Sequence, residues 1–276
     1  MTTILFHAMD TPQLEQELQD ALSLARAADA HLSCIYVTPA EAFVSMDSFG
    51  GVYVANDMLD AVAKSQAEVR DHIAATLANE DVAWDYQAAN GGYDSVLCAI
   101  GSLSDLIVAS RRHEGVKKEG LAASTLGDIV MNSRSTLFIP GDDGAAHDPF
   151  APMVVGWDGG VQAAAAVRGA MPWLKQASSV RVVTVQKSDG NHGTGASFPS
   201  TRLLEYLSRG GVNAELVEVD KGHSAAEESL LQHVQDAGAK TLVIGGYGHS
   251  RLGEYLMGGV TKSLLGHCPV GLMITH

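Results

Sequence analysis

The chain has 276 residues, 46% hydrophobic and 18% charged, a balance that suits a soluble globular protein of roughly two domains. Its formal net charge of −14 argues against non-specific binding to nucleic acid or to an anionic membrane. A local site for an anionic small ligand stays open, because remote acids are screened beyond about 8 Å at physiological salt.

No apolar run approaches the ~20 residues of a membrane span. The opening MTTILFHAMD lacks a basic flank before a long apolar stretch, so no signal peptide is expected. Cys34, Cys98 and Cys268 lie far apart, with neither a CxxC pair nor zinc spacing. Reduced thiols, no metal site and a cytoplasmic location are the expectation.

The first apolar segment predicts a strand near 2–9. Behind Thr11-Pro12, the residues Leu14, Leu18, Leu22 and Ala25 recur at helical spacing. Further strands are expected near 31–38, 82–89, 104–110 and 135–140, with a long break, PAEAFVSMDSFGGVYVAND, after the second. GDDGAAHDPFAP, from Gly141 to Pro152, is polar and rich in Gly and Pro and reads as a linker. The series then repeats. Strands are expected near 152–158, 179–186, 212–219, 240–246 and 269–275, and an Ala-rich helix from about Val161 to Trp173. A second long break, KSDGNHGTGASFPS, falls at the same place as the first. Gly101 and Gly238 stand where a helix would stop ahead of a buried strand. Ser224 and Glu227 are spaced as a capping box. Each half therefore reads β-α-β-α-β-α-β-α-β. The expected fold is α/β: two tandem doubly wound Rossmann-like domains, each a five-stranded mainly parallel sheet with helices on both faces. The expected boundaries are 1–141, a linker over 142–151, and 152–276.

One stretch points to chemistry. In LVIGGYGHSRLGEYLMGGVTKSLL, the apolar run from Leu242 to Ile244 stops at Gly245-Gly246-Tyr247-Gly248, and Gly258-Gly259 open a segment of helical spacing. Ligands of doubly wound sheets bind beyond the carboxyl ends of strands. Glycines let backbone approach a ligand, and unpaired amides at a helix start suit an anion. Each helix-end contact gives about 0.3–1 kcal/mol, whereas micromolar affinity needs about 8 kcal/mol. A pocket for sugar and base is therefore required as well. Asp158, closing the first strand of the second half, is the candidate for ribose hydroxyls; its alternative role is a cap for the next helix. His249 and Arg251 either reach phosphate or face water. Arg251 stands where GxGxxG needs its third glycine, and no GxxxxGK[ST] occurs.

Gly245-x-x-Gly248, nine residues, then Gly258 resembles the G-xx-G-x9-G-[S/T] motif of the universal stress protein family. Val260-Thr261 and the strand entry HCPVGLMI are similar to that family too, and the tandem repeat matches its two-domain members. The resemblance implies a nucleotide-binding-like α/β fold, often dimeric or pseudo-dimeric, with ATP bound in some members. It assigns Asp158 to the ribose and a backbone group at Val185 to adenine. Gly245, Gly248 and Gly258, with Gly259 and Val260 beside them, fall to the phosphate loop, and Thr261 to the start of the last helix. The implied ligand is ATP, ADP or AMP, with Mg2+ as an accompanying ion left open.

Two departures matter. Gly259 replaces the Ser or Thr expected after the third glycine, removing a hydroxyl contact of about 0.5–1.5 kcal/mol. In the first half, Ala109-Ser110-Arg111-Arg112 replaces the glycine turn, Ser124-Thr125 replaces the later glycines, and Met9 takes the aspartate's place, followed by Asp10. That half is expected to have lost the site and to serve as a docking partner. Arg111-Arg112-His113 with Lys117-Lys118 reads as a solvated basic loop, and His7 as a hydrogen-bonded core residue. The functional expectation is an adenine-nucleotide-binding stress-response or signalling protein with its site in the second domain. Its halves would pair as a pseudo-dimer, with a homodimer of the whole chain as a further arrangement. The alternative is a nucleotide-free adaptor acting through dimerisation or partner docking. With no Walker lysine, paired carboxylates or nucleophile–base pair, no catalytic residue is expected.

Overall fold

The computed structural model describes residues 2–39, 45–46, 52–53, 56–111, 120–186, 198–220, 226–248 and 259–276. The first half runs β1 (Thr2–Ala8), α1 (Leu14–Ala28), β2 (Ala30–Thr38), β3 (Ser45–Met46), β4 (Val52–Tyr53), α2 (Asn56–Leu77), β5 (Trp84–Asn90), α3 (Tyr93–Gly101), β6 (Leu106–Val108), α4 (Ala123–Ser133) and β7 (Thr136–Ile139). The second runs β8 (Met153–Gly156), α5 (Val161–Leu174), β9 (Val180–Gln186), α6 (Ser200–Arg209), β10 (Ala214–Asp220), α7 (Ala226–Asp236), β11 (Thr241–Gly245), α8 (Gly259–Gly266) and β12 (Gly271–Thr275).

The two expected five-stranded sheets are joined into one. Ten strands run in the order β10-β9-β8-β11-β12-β7-β6-β1-β2-β5, and β3 and β4 form a separate two-stranded ladder. Within each half of the ten-stranded sheet the pairing is parallel, and the halves meet where β12 runs antiparallel to β7. Strands β6 and β11 fix the equivalence. Val108 pairs with Phe138, and Val243 pairs with Met273. Those equivalent residues, Phe138 and Met273, are partners across the joint. The joint is thus a pseudo-two-fold contact, and the carboxyl ends of the two sets of strands point in opposite directions.

Burial explains the elements. Leu14, Leu18, Leu22 and Ala25 all lie on the buried face of α1, and β7 and β12 are buried at every residue, as strands covered on both faces must be. Each face of the sheet carries one apolar cluster that spans both halves. Phe138 and Met273 belong to the cluster under α1 and α5, and Leu137 and Leu272 to the one on the other face. Polar pins cross the joint inside this packing. Trp173 Nε1 of α5 donates to the Leu24 carbonyl of α1 at 3.0 Å, and the hydroxyls of Thr136 and Thr275 meet at 2.9 Å. The connecting segment is held down as well. The His147 amide donates to Asp20 Oδ1 at 2.9 Å, and its ring lies 4.7 Å from that of Phe138.

Three local expectations change. Gly238 does stop its helix with a left-handed φ of 59°, but Gly101 lies within α3. A Cβ there would sit 2.5 Å from Ile107 Cδ1, so close packing explains that glycine. His7 is 1% exposed and neither ring nitrogen has a hydrogen-bond partner among the described residues. It packs edge-on to Tyr93, with ring centroids 5.4 Å apart, and burial lowers its pKa to about 4, so the ring is neutral at pH 7. Arg111 is buried, not solvated; Arg112, His113, Lys117 and Lys118 lie outside the described residues, as does Ser224.

Candidate nucleotide site

From β8 the second-half chain moves outward to β9 and β10, then crosses back to β11 on the other side of β8. The carboxyl ends of β8 and β11 therefore flank a topological switch point, the usual ligand crevice of such sheets. Past the end of β8, the exposed Asp158 enters the turn to α5. Its Oδ1 accepts the Gly160 amide at 2.8 Å, which fixes the carboxylate beside the start of the helix. Extending the β8–β9 register, in which Gly156 pairs with Val183, puts the Val185 backbone level with Asp158.

The loop after β11 divides by function. A Cβ on Gly245 would lie 2.4 Å from the Ala163 nitrogen and 2.6 Å from the Gln162 carbonyl carbon. Glycine there lets the first turn of α5 close onto the end of the sheet. The Gly246 amide donates to the Thr275 carbonyl at 2.8 Å, and the Tyr247 amide to Thr261 Oγ1 at 3.4 Å. Two of the loop amides are thus engaged within the protein. Gly248 differs. It is exposed, and among the described residues the nearest atoms to a Cβ on it would be those of Gln162 (Oε1 at 3.4 Å, Cδ at 3.9 Å) and Asp158 (Oδ2 at 3.6 Å). Gly259 opens α8 and is exposed, and no atom of the described residues lies within 4 Å of where its Cβ would be. Val260 is half-buried beside it. Thr261 is 6% exposed and its hydroxyl braces the loop through Tyr247. The structure therefore brings Gly248 to Asp158, and the β8–β9 register sets the Val185 backbone at the same end of the sheet. His249, Arg251 and Gly258 lie outside the described residues.

Three residues of this crevice carry no signal in the sequence motif. Gln162 comes to it from the first turn of α5. Phe198 reaches its mouth because its amide donates to the Gly159 carbonyl at 2.9 Å and its carbonyl accepts Trp157 Nε1 at 3.3 Å. Tyr247 holds a left-handed φ of 59°. The first turn after a candidate ribose aspartate would have been a place to look for Gln162; nothing local marks Phe198. Among the described residues no group of three or more His, Cys, Asp or Glu side chains is placed to hold a metal ion.

Residues 149–276 match the model of the universal stress protein family. The second half of the chain belongs to the universal stress protein family. No curated protein matches the sequence. Among solved structures, the chain is similar to a universal stress protein from Archaeoglobus fulgidus DSM 4304, with a TM-score of 0.71 at 13% identity over 99% of this chain and 97% of that one. It is also similar to a universal stress protein from Pseudomonas aeruginosa UCBPP-PA14, described as putative, with a TM-score of 0.64 at 13% identity over 100% of this chain and 93% of that one. At such identities the likeness shows the fold, and it extends over both halves.

The first half can be compared with the universal stress protein half position by position. Leu5 pairs with Ile107 as Val154 pairs with Leu242, so Met9 is the counterpart of Asp158, Ser110 of Gly245 and Arg111 of Gly246. Asp10 is tied into its own half, accepting the Ser65 hydroxyl at 2.6 Å. Arg111 turns across the joint. Its Nη1 donates to the Leu264 carbonyl of α8 at 3.2 Å, and its Nε lies 3.2 Å from Asp142 Oδ1. Burial pushes its pKa down against the upward pull of Asp142. A cation committed to the interface thus stands where the universal stress protein half has a glycine.

Proposed function

We propose that the universal stress protein half binds an adenine nucleotide, ATP in the first instance, in the crevice between β8 and β11. On this reading the chain acts as a nucleotide-responsive stress or signalling protein in the cytoplasm, not as an enzyme. The observation that carries the reading is the meeting of Asp158, Gln162 and Gly248 at the switch point. Asp158 Oδ2 would accept a ribose hydroxyl, the Val185 backbone would meet the adenine edge, and the start of α8 at Gly259 would offer amides and a positive dipole end to the phosphates. Gly259 supplies no hydroxyl there, so the affinity is modest. Mg2+ would arrive on the phosphates, since the described residues form no metal-binding cluster of their own. The internal β7–β12 joint supplies the paired arrangement without a second chain.

Isothermal titration of nucleotide-stripped protein with ATP tests the reading. Saturable heat is expected, weakened about tenfold in Asp158→Ala by loss of a hydrogen bond to a charged acceptor. Silence at millimolar ATP ends the proposal. The engagement of the Gly246 and Tyr247 amides within the protein favours a second reading, a nucleotide-free adaptor. Adenine nucleotide released by acid extraction of freshly purified protein would count against that one.

A further inference from the structure

Tyr247 joins the glycine loop of the second half to a helix of the first. Its backbone is left-handed, with φ 59°, a conformation that side-chain-bearing residues avoid because Cβ crowds the following carbonyl. Something must hold it there, and two contacts do. The amide is held by Thr261 Oγ1. The half-buried ring packs into the apolar cluster shared by both halves, with its hydroxyl over Gly127 in the middle of α4. A Cβ on Gly127 would lie 2.3 Å from the Tyr247 hydroxyl oxygen but 3.5 Å from Cζ. A glycine inside a helix lowers helix stability relative to alanine, so its value at this position is the seat it leaves for the phenol. Immediately beyond Tyr247, Gly248 faces Asp158 and Gln162.

We propose that the first half positions the loop of the second-half site: Gly127 of α4 seats the Tyr247 phenol, and that seat sets the backbone that points Gly248 at Asp158. Tyr247 and Gly127 are positioning residues, and the crevice is complete only with both halves in place. This rests on the nucleotide reading for its ligand but not for its geometry, and the two can fail separately.

The test is a compensating pair in the full chain. Gly127→Ala drives a methyl into the phenolic oxygen while improving the helix. Adding Tyr247→Phe removes that oxygen and leaves the ring at ordinary contact distance from the new methyl. Two readouts are taken, hydrogen exchange of the peptide spanning Gly245–Gly248 without ligand, and ATP affinity by titration. Gly127→Ala is expected to speed exchange in the loop and to weaken ATP binding about fivefold, the low end of coupling between sites. Its urea midpoint should stay level or rise. The double variant should restore both readouts. Tyr247→Ala, which leaves α4 untouched, should speed loop exchange in the same way and covers the case in which Gly127→Ala misfolds. Unchanged loop exchange in Gly127→Ala and Tyr247→Ala overturns the proposal, as does failure of Tyr247→Phe to restore it. Wild-type protein that binds no ATP would remove the nucleotide reading, and loop exchange would still decide the positioning.

Discussion

Gly245→Ala and Gly248→Ala add the same methyl three residues apart, and only the first is expected to destabilise the protein. At Gly245 the new carbon falls 2.4 Å from the Ala163 nitrogen and 2.6 Å from the Gln162 carbonyl carbon. Both are backbone atoms of the first turn of α5, so no side chain can rotate out of the way. Reaching ordinary contact requires a shift of about 1 Å in a helix whose Ala163, Ala166 and Ala170 are buried against the sheet. Overpacking of this kind costs about 1–3 kcal/mol, while the stiffer unfolded chain returns about 0.4–1 kcal/mol. The net loss is about 1–2 kcal/mol. At Gly248 the same methyl meets oxygens at 3.4 and 3.6 Å, the residue is not among the positive-φ glycines, and a change within about 0.5 kcal/mol is expected. Urea unfolding followed by circular dichroism reads the contrast as a lowered midpoint at constant slope for Gly245→Ala alone. A Gly245→Ala protein with the wild-type midpoint would refute the close approach of α5 to the end of β11.

Other expectations follow from buried polar groups. His7 and His147 both have pKa values lowered from 6.5 to about 4 by burial. The unfolded chain therefore binds more protons between those values, and stability present above pH 6.5 is lost as pH falls toward 4. Each ring contributes at most about 3 kcal/mol to that loss. Replacing His7 by Leu should flatten the stability profile between pH 6.5 and 4.5, measured as urea midpoints at several pH values; an unaltered slope contradicts the assignment. Asp142→Ala leaves the Arg111 guanidinium buried without its carboxylate and frees the Cys268 amide, which Asp142 Oδ2 accepts at 2.7 Å. A loss of about 3–5 kcal/mol is expected, visible as a large drop in the thermal midpoint, with Arg111→Met/Asp142→Ala less damaged than Asp142→Ala. Trp173→Phe keeps an aromatic six-membered ring but removes the pyrrole N–H that donates to the Leu24 carbonyl and part of a fully buried indole, costing about 1–3 kcal/mol by the same denaturation assay.

Local patterning was enough to read much of this protein. Alternation of apolar runs with helical spacing gave the repeat and the positions of its strands. The spacing of Leu14, Leu18 and Leu22 marked the inward face of α1, because a helix returns every third or fourth residue to the same side. Asp158 and Gly248 could be named from sequence because a strand end and a glycine turn are local features. Tertiary structure alone decided the rest. The antiparallel meeting of Phe138 with Met273 joins segments more than a hundred residues apart, and nothing near either residue encodes it. The glycine pattern did not separate Gly245, pressed by α5, from Gly248, which faces side-chain oxygens. Arg111 read as a surface residue, yet its partners Asp142 and Leu264 come from the linker and the other half. Neighbour preferences in a chain carry secondary structure; which atoms finally share a buried volume depends on how the two halves pack, and that is a property of the whole fold.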